Sequence, residues 1–152
     1  MDLKTVVNEA VAVLKEGGVI LYPTDTVWGI GCDATNEKAV AKVFEIKRRS
    51  EAKSLVLLAA DLDMVAKYIK EIPSIAIDLV EVNDSPMTII YPGAQYLAAN
   101  AVAEDGSVGI RIPYVDEDGG PQSAAFCRDL ARRLRRPIVS TSANISGEDT
   151  PE

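Results

Sequence analysis

The hydrophobic positions of the chain follow two spacings. Helical spacing, with an apolar residue every three or four positions, occurs from Leu3 to Leu14 and returns after Asn36, Asp61, Pro73 and Gly120. Between these segments are short apolar runs of the length of buried strands, at 19–22, 54–60, 87–91, 108–112 and 137–139. Because strands and helices are mixed along the whole chain, the pattern predicts an α/β protein.

Residues at the segment ends support these boundaries. Asp2, Asn36 and Asp61 each precede a helical pattern and are good N-cap residues. Gly17 and Gly18 stop the first helix. The second predicted helix ends at Lys47 with a run of cations, which a helix C-terminus favours.

Composition bounds the size of the fold and the class of protein. With 152 residues, 47% of them hydrophobic, the chain predicts one domain over 1–152. A net charge of −7 argues against nucleic-acid binding through overall charge, although a local basic site remains open. We expect a soluble cytoplasmic protein, because the start is not a signal peptide and the longest strongly apolar run, 55–60, is too short to span a bilayer.

Metal sites and histidine chemistry have little support. The chain has no histidine, and Cys32 and Cys127 have no metal-ligand spacing, so we expect no metal held by the protein itself. The pattern GxGxxA at 29–34 is a weak dinucleotide signal, because the residues before it are poor strand material. No Walker A pattern occurs.

Three polar segments lie at predicted strand or helix ends: PTDT at 23–26, KRRS at 47–50 and STSAN at 140–144. The third follows an apolar run that we expect to end as a strand at Val139. Short hydroxyl and amide side chains suit a ligand at a strand end, but they also suit turns and helix caps. Lys47 and Arg49 suit phosphate oxygens, but cations at a helix end are more often solvated.

Five short motifs in order carry a resemblance over nearly the whole chain: PTDTVWGIG, IKRR, the strand that carries Thr88, GIRIP at 109–113 and STSANISG. Together they resemble the YrdC-like family of threonylcarbamoyl-AMP synthases. The resemblance implies a single-domain, open, twisted mixed sheet with flanking helices and a concave, positively charged, nucleotide-binding face. It also implies an enzyme, a nucleotidyltransferase that converts L-threonine, bicarbonate and ATP to threonylcarbamoyl-AMP and pyrophosphate. The resemblance further implies that a partner complex then transfers the threonylcarbamoyl group to tRNA.

The same resemblance assigns roles to residues. The catalytic residues it implies are Lys47, Arg49, Ser142 and Asn144, which with Thr88 also bind ATP. The residues that would contact L-threonine are Thr24, Arg111 and Ser140, with Arg111 the partner of its carboxylate. The chain departs from the family pattern in having Ser50 and Ser54 in place of prolines, and 83–87 in place of Pro-Gly-Pro.

The implied chemistry fits a chain without histidine. A carbamate must attack the α-phosphorus of ATP, which brings two anions together, so cations and oriented dipoles do most of the work. Mg²⁺ is expected to arrive with ATP and needs no protein cage of its own.

Three alternatives stay open. One is a non-catalytic YrdC-like protein that binds RNA or nucleotide, for which the arginines at 128, 132, 133, 135 and 136 would form a local RNA contact. The same arginines also suit the solvated face of the last helix. The others are the carbamoyl-adenylate domain of hydrogenase maturation proteins and a Rossmann dehydrogenase. Since members of the resembled family continue past STSANISG, we also expect this 152-residue chain to be truncated at its C-terminus.

Overall fold

A computed structural model describes residues 3–23, 28–47, 55–82, 87–115 and 122–142. The helices are α1 (Leu3–Lys15), α2 (Glu37–Lys47), α3 (Leu62–Tyr68), α4 (Ser74–Val82) and α5 (Gln122–Leu134). The strands are β1 (Ile20–Pro23), β2 (Trp28–Asp33), β3 (Val56–Leu58), β4 (Thr88–Tyr91), β5 (Val108–Arg111) and β6 (Ile138–Ser142). A short 3-10 turn occupies Ala99–Ala101.

The six strands form one open mixed sheet in the order β1-β2-β6-β3-β5-β4. Strands β3 and β5 pair in parallel, and the other neighbours pair antiparallel. This confirms the predicted α/β class and the open mixed sheet with flanking helices.

Helices cover both faces of the sheet. On one face α2, α3 and α4 pack on the apolar residues of the strands, around Cys32, Leu57, Ile110 and Val139. On the other face α1 and α5 pack against each other and against Ile138. The alternation of side chains along each strand therefore sends one set of residues under α2–α4 and the other set under, or beside, α1 and α5.

Local chemistry sets the helix ends as the sequence predicted. Asn36 Oδ1 accepts a hydrogen bond from the backbone N–H of Ala39 at 3.0 Å, at the start of α2. Asp61 Oδ1 accepts one from Met64 N–H at 2.9 Å, at the start of α3. Gly17 follows α1 with φ of +81°, a conformation that favours glycine.

Two strands differ from the prediction. Gly29 and Gly31 lie inside β2, so the GxGxxA pattern forms no dinucleotide-binding turn. Strand β6 does not end at Val139 but continues through Ser142. The physical reason is the same for both. Strands β2 and β6 pair with each other along Gly29–Asp33 and Ile138–Ser142. This pairing stabilises strand structure that small residues do not favour by themselves.

Among the residues that the structure describes, no helix has the length and apolar character needed to cross a membrane.

Candidate functional site

Arg111 and Thr88 face each other across strands β5 and β4. Their Cα atoms are direct partners in the antiparallel register, so both side chains lie on the same face of the sheet. Arg111 Nε donates a hydrogen bond to Thr88 Oγ1 at 3.2 Å. Within the described ranges no carboxylate lies at ion-pair distance from Arg111. Thr88 therefore orients the guanidinium, and no carboxylate of the described residues pairs with it.

Ser140 lies on this same face. Leu58 pairs with Arg111 on one side and with Ile138 on the other, which puts all three on one face. Ser140 is two residues beyond Ile138 on the same strand, so its side chain points to that face as well. We call Thr88, Arg111 and Ser140 the polar face.

The polar face lies where α1 and α5 leave the sheet uncovered. Helix α5 places Cys127 against Tyr22 and Leu58, which closes the neighbouring part of the same side of the sheet. Thr88 is exposed, and Arg111 and Ser140 are half-buried. The side chains of the polar face can therefore be reached from solvent.

A tyrosine that the sequence analysis did not single out contacts the polar face. The Tyr22 hydroxyl donates a hydrogen bond to Ser140 Oγ, although 118 residues separate the two. Tyr22 is 2% exposed, and burial raises the pKa of its phenol well above the usual range. Cys127 raises that pKa further, whereas the hydrogen bond to Ser140 and the charge of Arg111 lower it.

Gly31 leaves the space through which this contact passes. It lies on β2 and pairs directly with Ser140. A Cβ atom at Gly31 would come within 2.8 Å of the Val139 carbonyl oxygen and 2.9 Å of Tyr22 Cε1, closer than real Cβ atoms pack. In the sequence, this contact was indicated only by the position of Tyr22 at the end of a predicted buried strand. The strand partner of Gly31 cannot be identified from its neighbours along the chain.

The other predicted site residues are placed only in part. Lys47 is the last residue of α2, and Ser142 is the last residue of β6, where it pairs with Gly29; the structure describes the backbone of both. Thr24, Arg49 and Asn144 lie outside the described residues. The structure thus brings Thr88, Arg111 and Ser140 to one face, and the roles of all eight residues stay predictions.

Much of the arginine run at the end of α5 is engaged within the protein. Arg136 Nη1 lies 2.9 Å from Asp33 Oδ2, and Arg133 Nη1 donates to Asn8 Oδ1 at 2.8 Å. Arg132 lies 3.7 Å from the carboxylate of Asp129. These contacts favour the interpretation of the run as a structural and solvated surface over that of an RNA patch.

Neither cysteine forms a disulfide, and both are buried. Burial, and secondly the nearby carboxylate of Asp33, raise the pKa of the Cys32 thiol to about 12. Cys32 is therefore held as a neutral thiol in the core, which argues against a role as a nucleophile.

Comparison with known proteins places the chain in a family. The Sua5/YciO/YrdC family model, described as telomere recombination, matches residues 12–152. The chain is 32% identical over 143 residues to the threonylcarbamoyl-AMP synthase of Aliivibrio fischeri, which covers 92% of this chain and 72% of that protein. It is 33% identical over 141 residues to the enzyme of the same name from Halorhodospira halophila, covering 92% of this chain and 69% of that protein.

A solved structure agrees with this placement. The crystal structure of P. abyssi Sua5 complexed with L-threonine superimposes with a TM-score of 0.79 at 29% identity, covering 95% of this chain. The chain spans 40% of the length of that protein. The family model matches most of the chain, and the chain shares the fold of this solved structure. The chain therefore belongs to the Sua5/YciO/YrdC family.

Proposed function

We propose that this chain is a threonylcarbamoyl-AMP synthase, which converts L-threonine, bicarbonate and ATP to threonylcarbamoyl-AMP and pyrophosphate. The observation that carries the proposal is the polar face, where Arg111 lies beside Thr88 and on the same face as Ser140, with no carboxylate partner for its guanidinium among the described residues. Two relatives over 30% identical bear the name of this enzyme, and a structural neighbour is complexed with L-threonine.

Arg111 would bind the carboxylate of threonine. A guanidinium pairs with a carboxylate through two parallel hydrogen bonds, which fixes the orientation of the amino acid as well as holding it. The bond from Arg111 Nε to Thr88 Oγ1 leaves the terminal nitrogens to make those contacts. Ser140, together with Thr24, would supply hydroxyl groups to the rest of the substrate.

The reaction joins two anions in two steps. The threonine amine attacks the carbon of bicarbonate, and loss of water leaves a carbamate. A carbamate oxygen then attacks the α-phosphorus of ATP, and the bond to the β-phosphate breaks to release pyrophosphate. Both steps bring negative groups together, so positioned cations and dipoles lower the barrier.

Lys47 and Arg49 would hold the phosphates, with Ser142, Asn144 and Thr88 as the further ATP contacts. Lys47 ends α2, so its backbone position lies where a cation is favoured by the helix dipole. Mg²⁺ would enter with ATP, whose phosphate oxygens supply its ligands.

The product would pass, in the cytoplasm, to a complex that transfers the threonylcarbamoyl group to tRNA. Release of an adenylate rather than direct action on tRNA is compatible with the net charge of −7. It is also compatible with the contacts that the exposed Arg132, Arg133 and Arg136 make with side chains of the same chain.

The test is product formation by the purified chain. With ATP, bicarbonate and L-threonine present, mass spectrometry should detect threonylcarbamoyl-AMP, and pyrophosphate should appear only when all three substrates are supplied. Pyrophosphate released at the same rate without threonine would overturn the proposed function.

A further inference from the structure

We infer that Tyr22 is a positioning residue of the threonine site, which holds the Ser140 hydroxyl so that it donates a hydrogen bond to an anionic oxygen of the bound substrate. This inference rests on the proposed function and goes beyond it, because it concerns a core residue that lies beside the polar face on the same side of the sheet. Ser140 acts as the donor, and Tyr22 fixes it in that role.

The geometry constrains Tyr22 tightly. Its ring is buried between the sheet and α5, in contact with Leu58 and Cys127 and 6.5 Å from the ring of Phe126. Its hydroxyl reaches from β1 over Gly31 of β2 to Ser140 of β6. A buried ring in a packed core has few rotamers open to it, so the hydroxyl that it presents to Ser140 is fixed in space.

The direction of the hydrogen bond decides what Ser140 can do. A serine hydroxyl has one proton to donate and two lone pairs that accept. Tyr22 donates to Ser140 Oγ and so occupies one lone pair. The serine proton is then left for a second acceptor, and the side chain of Ser140 lies on the polar face. Carboxylate and carbamate oxygens accept such a proton, and both occur on the threonine side of the proposed reaction.

Tyr22 and Ser140 should act on threonine and not on ATP, so a substitution can test their role. Tyr22→Phe removes the donor and keeps the ring. We expect the KM for threonine to rise roughly three- to tenfold, the modest net value of one hydrogen bond, while the KM for ATP stays within about twofold. A purely structural loss would lower the fraction of active protein and thus kcat, but would leave both KM values in place.

Tyr91→Phe is the matched control. Tyr91 is also a buried tyrosine on a strand of this sheet, but it packs in the core under α2–α4, on the opposite face from Ser140. The Tyr91→Phe substitution should leave the KM for threonine and the KM for ATP unchanged. An unchanged threonine KM in an active, folded Tyr22→Phe variant would overturn the inference.

A second pair of variants isolates the contact between the two hydroxyls. Ser140→Ala should raise the threonine KM by itself, and adding Tyr22→Phe to it should raise the KM no further, because the hydroxyl that Tyr22 positions is already absent. If Tyr22→Phe raises the threonine KM equally in both backgrounds, Tyr22 acts by another route and the inference is wrong. The proposed function fails in a different way. It is overturned if the unsubstituted protein releases pyrophosphate without threonine.

Discussion

Arg136 and Asp33 form an ion pair that spans 103 residues of sequence, with 2.9 Å between Arg136 Nη1 and Asp33 Oδ2. Asp33 is 1% exposed. Its other carboxylate oxygen accepts hydrogen bonds from the backbone N–H and the hydroxyl of Thr35, at 2.8 and 2.7 Å. The pair therefore links the end of β2 to the turn that leads from α5 into β6, and β2 and β6 are neighbours in the sheet.

Removing the cation from this pair should destabilise the fold. We expect Arg136→Gln to lower the free energy of unfolding by about 1–3 kcal/mol, because it takes a charged partner from a buried carboxylate. Arg132→Gln is the control, since its exposed pair with Asp129 at 3.7 Å should contribute no more than about 0.5 kcal/mol. Urea denaturation measures both, and equal losses would contradict the special role of Arg136.

The backbone at Arg135 offers a gain in stability. Arg135 follows α5 with φ of +64°, in the left-handed region that costs a side-chain-bearing residue energy and suits glycine. Arg135→Gly should therefore raise the free energy of unfolding by about 0.5–1 kcal/mol. Arg132→Gly, inside the same helix, should lower it by about 1 kcal/mol. A loss of stability at both positions would show that the strain at Arg135 is not relieved by glycine.

Arg111→Ala should affect threonine more than ATP. If the guanidinium binds the amino-acid carboxylate, the KM for threonine should rise by roughly ten- to a hundredfold, the value of a charge-assisted contact. The KM for ATP should change little. Titration of each substrate separately checks this, with Arg132→Ala as a surface control. Similar rises for both substrates would mean that Arg111 supports the site rather than binding threonine.

Lys47→Ala should weaken ATP binding while leaving the protein folded. Loss of one charge-assisted phosphate contact costs about 1.5–3 kcal/mol of binding free energy. Lys38→Ala is the matched control, because Lys38 is an exposed lysine in the first turn of the same helix, at the end away from Lys47. Calorimetric titration with ATP compares the two. Equal affinities would return Lys47 to the role of a solvated cation at a helix end.

Stability should fall in alkaline solution. The Cys32 thiol ionises near its usual pKa of 9.0 when the chain unfolds, but only near 12 in the folded state. Between these values the folded state holds a proton that the unfolded state has lost. The free energy of unfolding therefore falls as the pH rises above about 9, by at most about 1.4 kcal/mol per pH unit for this group. Cys32→Ala should make that decline shallower in urea denaturation curves, and an identical slope would contradict this account.

The sequence patterns correctly predicted features that depend only on residues close together along the chain. The caps at Asn36 and Asp61 and the glycine after α1 were all confirmed, because each acts on residues within one helical turn. The resemblance also named Thr88, Arg111 and Ser140, which the structure places on one face.

What was missed depends on strand pairing over long distances. The strand character of Gly29 to Gly31 and of Ser140 to Ser142 comes from their pairing with each other, which no local propensity contains. The contact of Tyr22 with Ser140 needs that pairing and the missing side chain of Gly31 together. Such a contact becomes predictable only when the order of strands in the sheet is known.

The central position of β6 has a consequence for synthesis on the ribosome. It is the last described strand to leave the exit tunnel, yet it lies between β2 and β3. Until it emerges, the nascent chain holds two partial sheets, β1-β2 and β3-β5-β4, and each presents an unpaired edge. Such edges are templates for pairing with other chains. Because β6 joins these two partial sheets, we expect the edges of β2 and β3 to stay open to pairing with other chains until β6 has been synthesised.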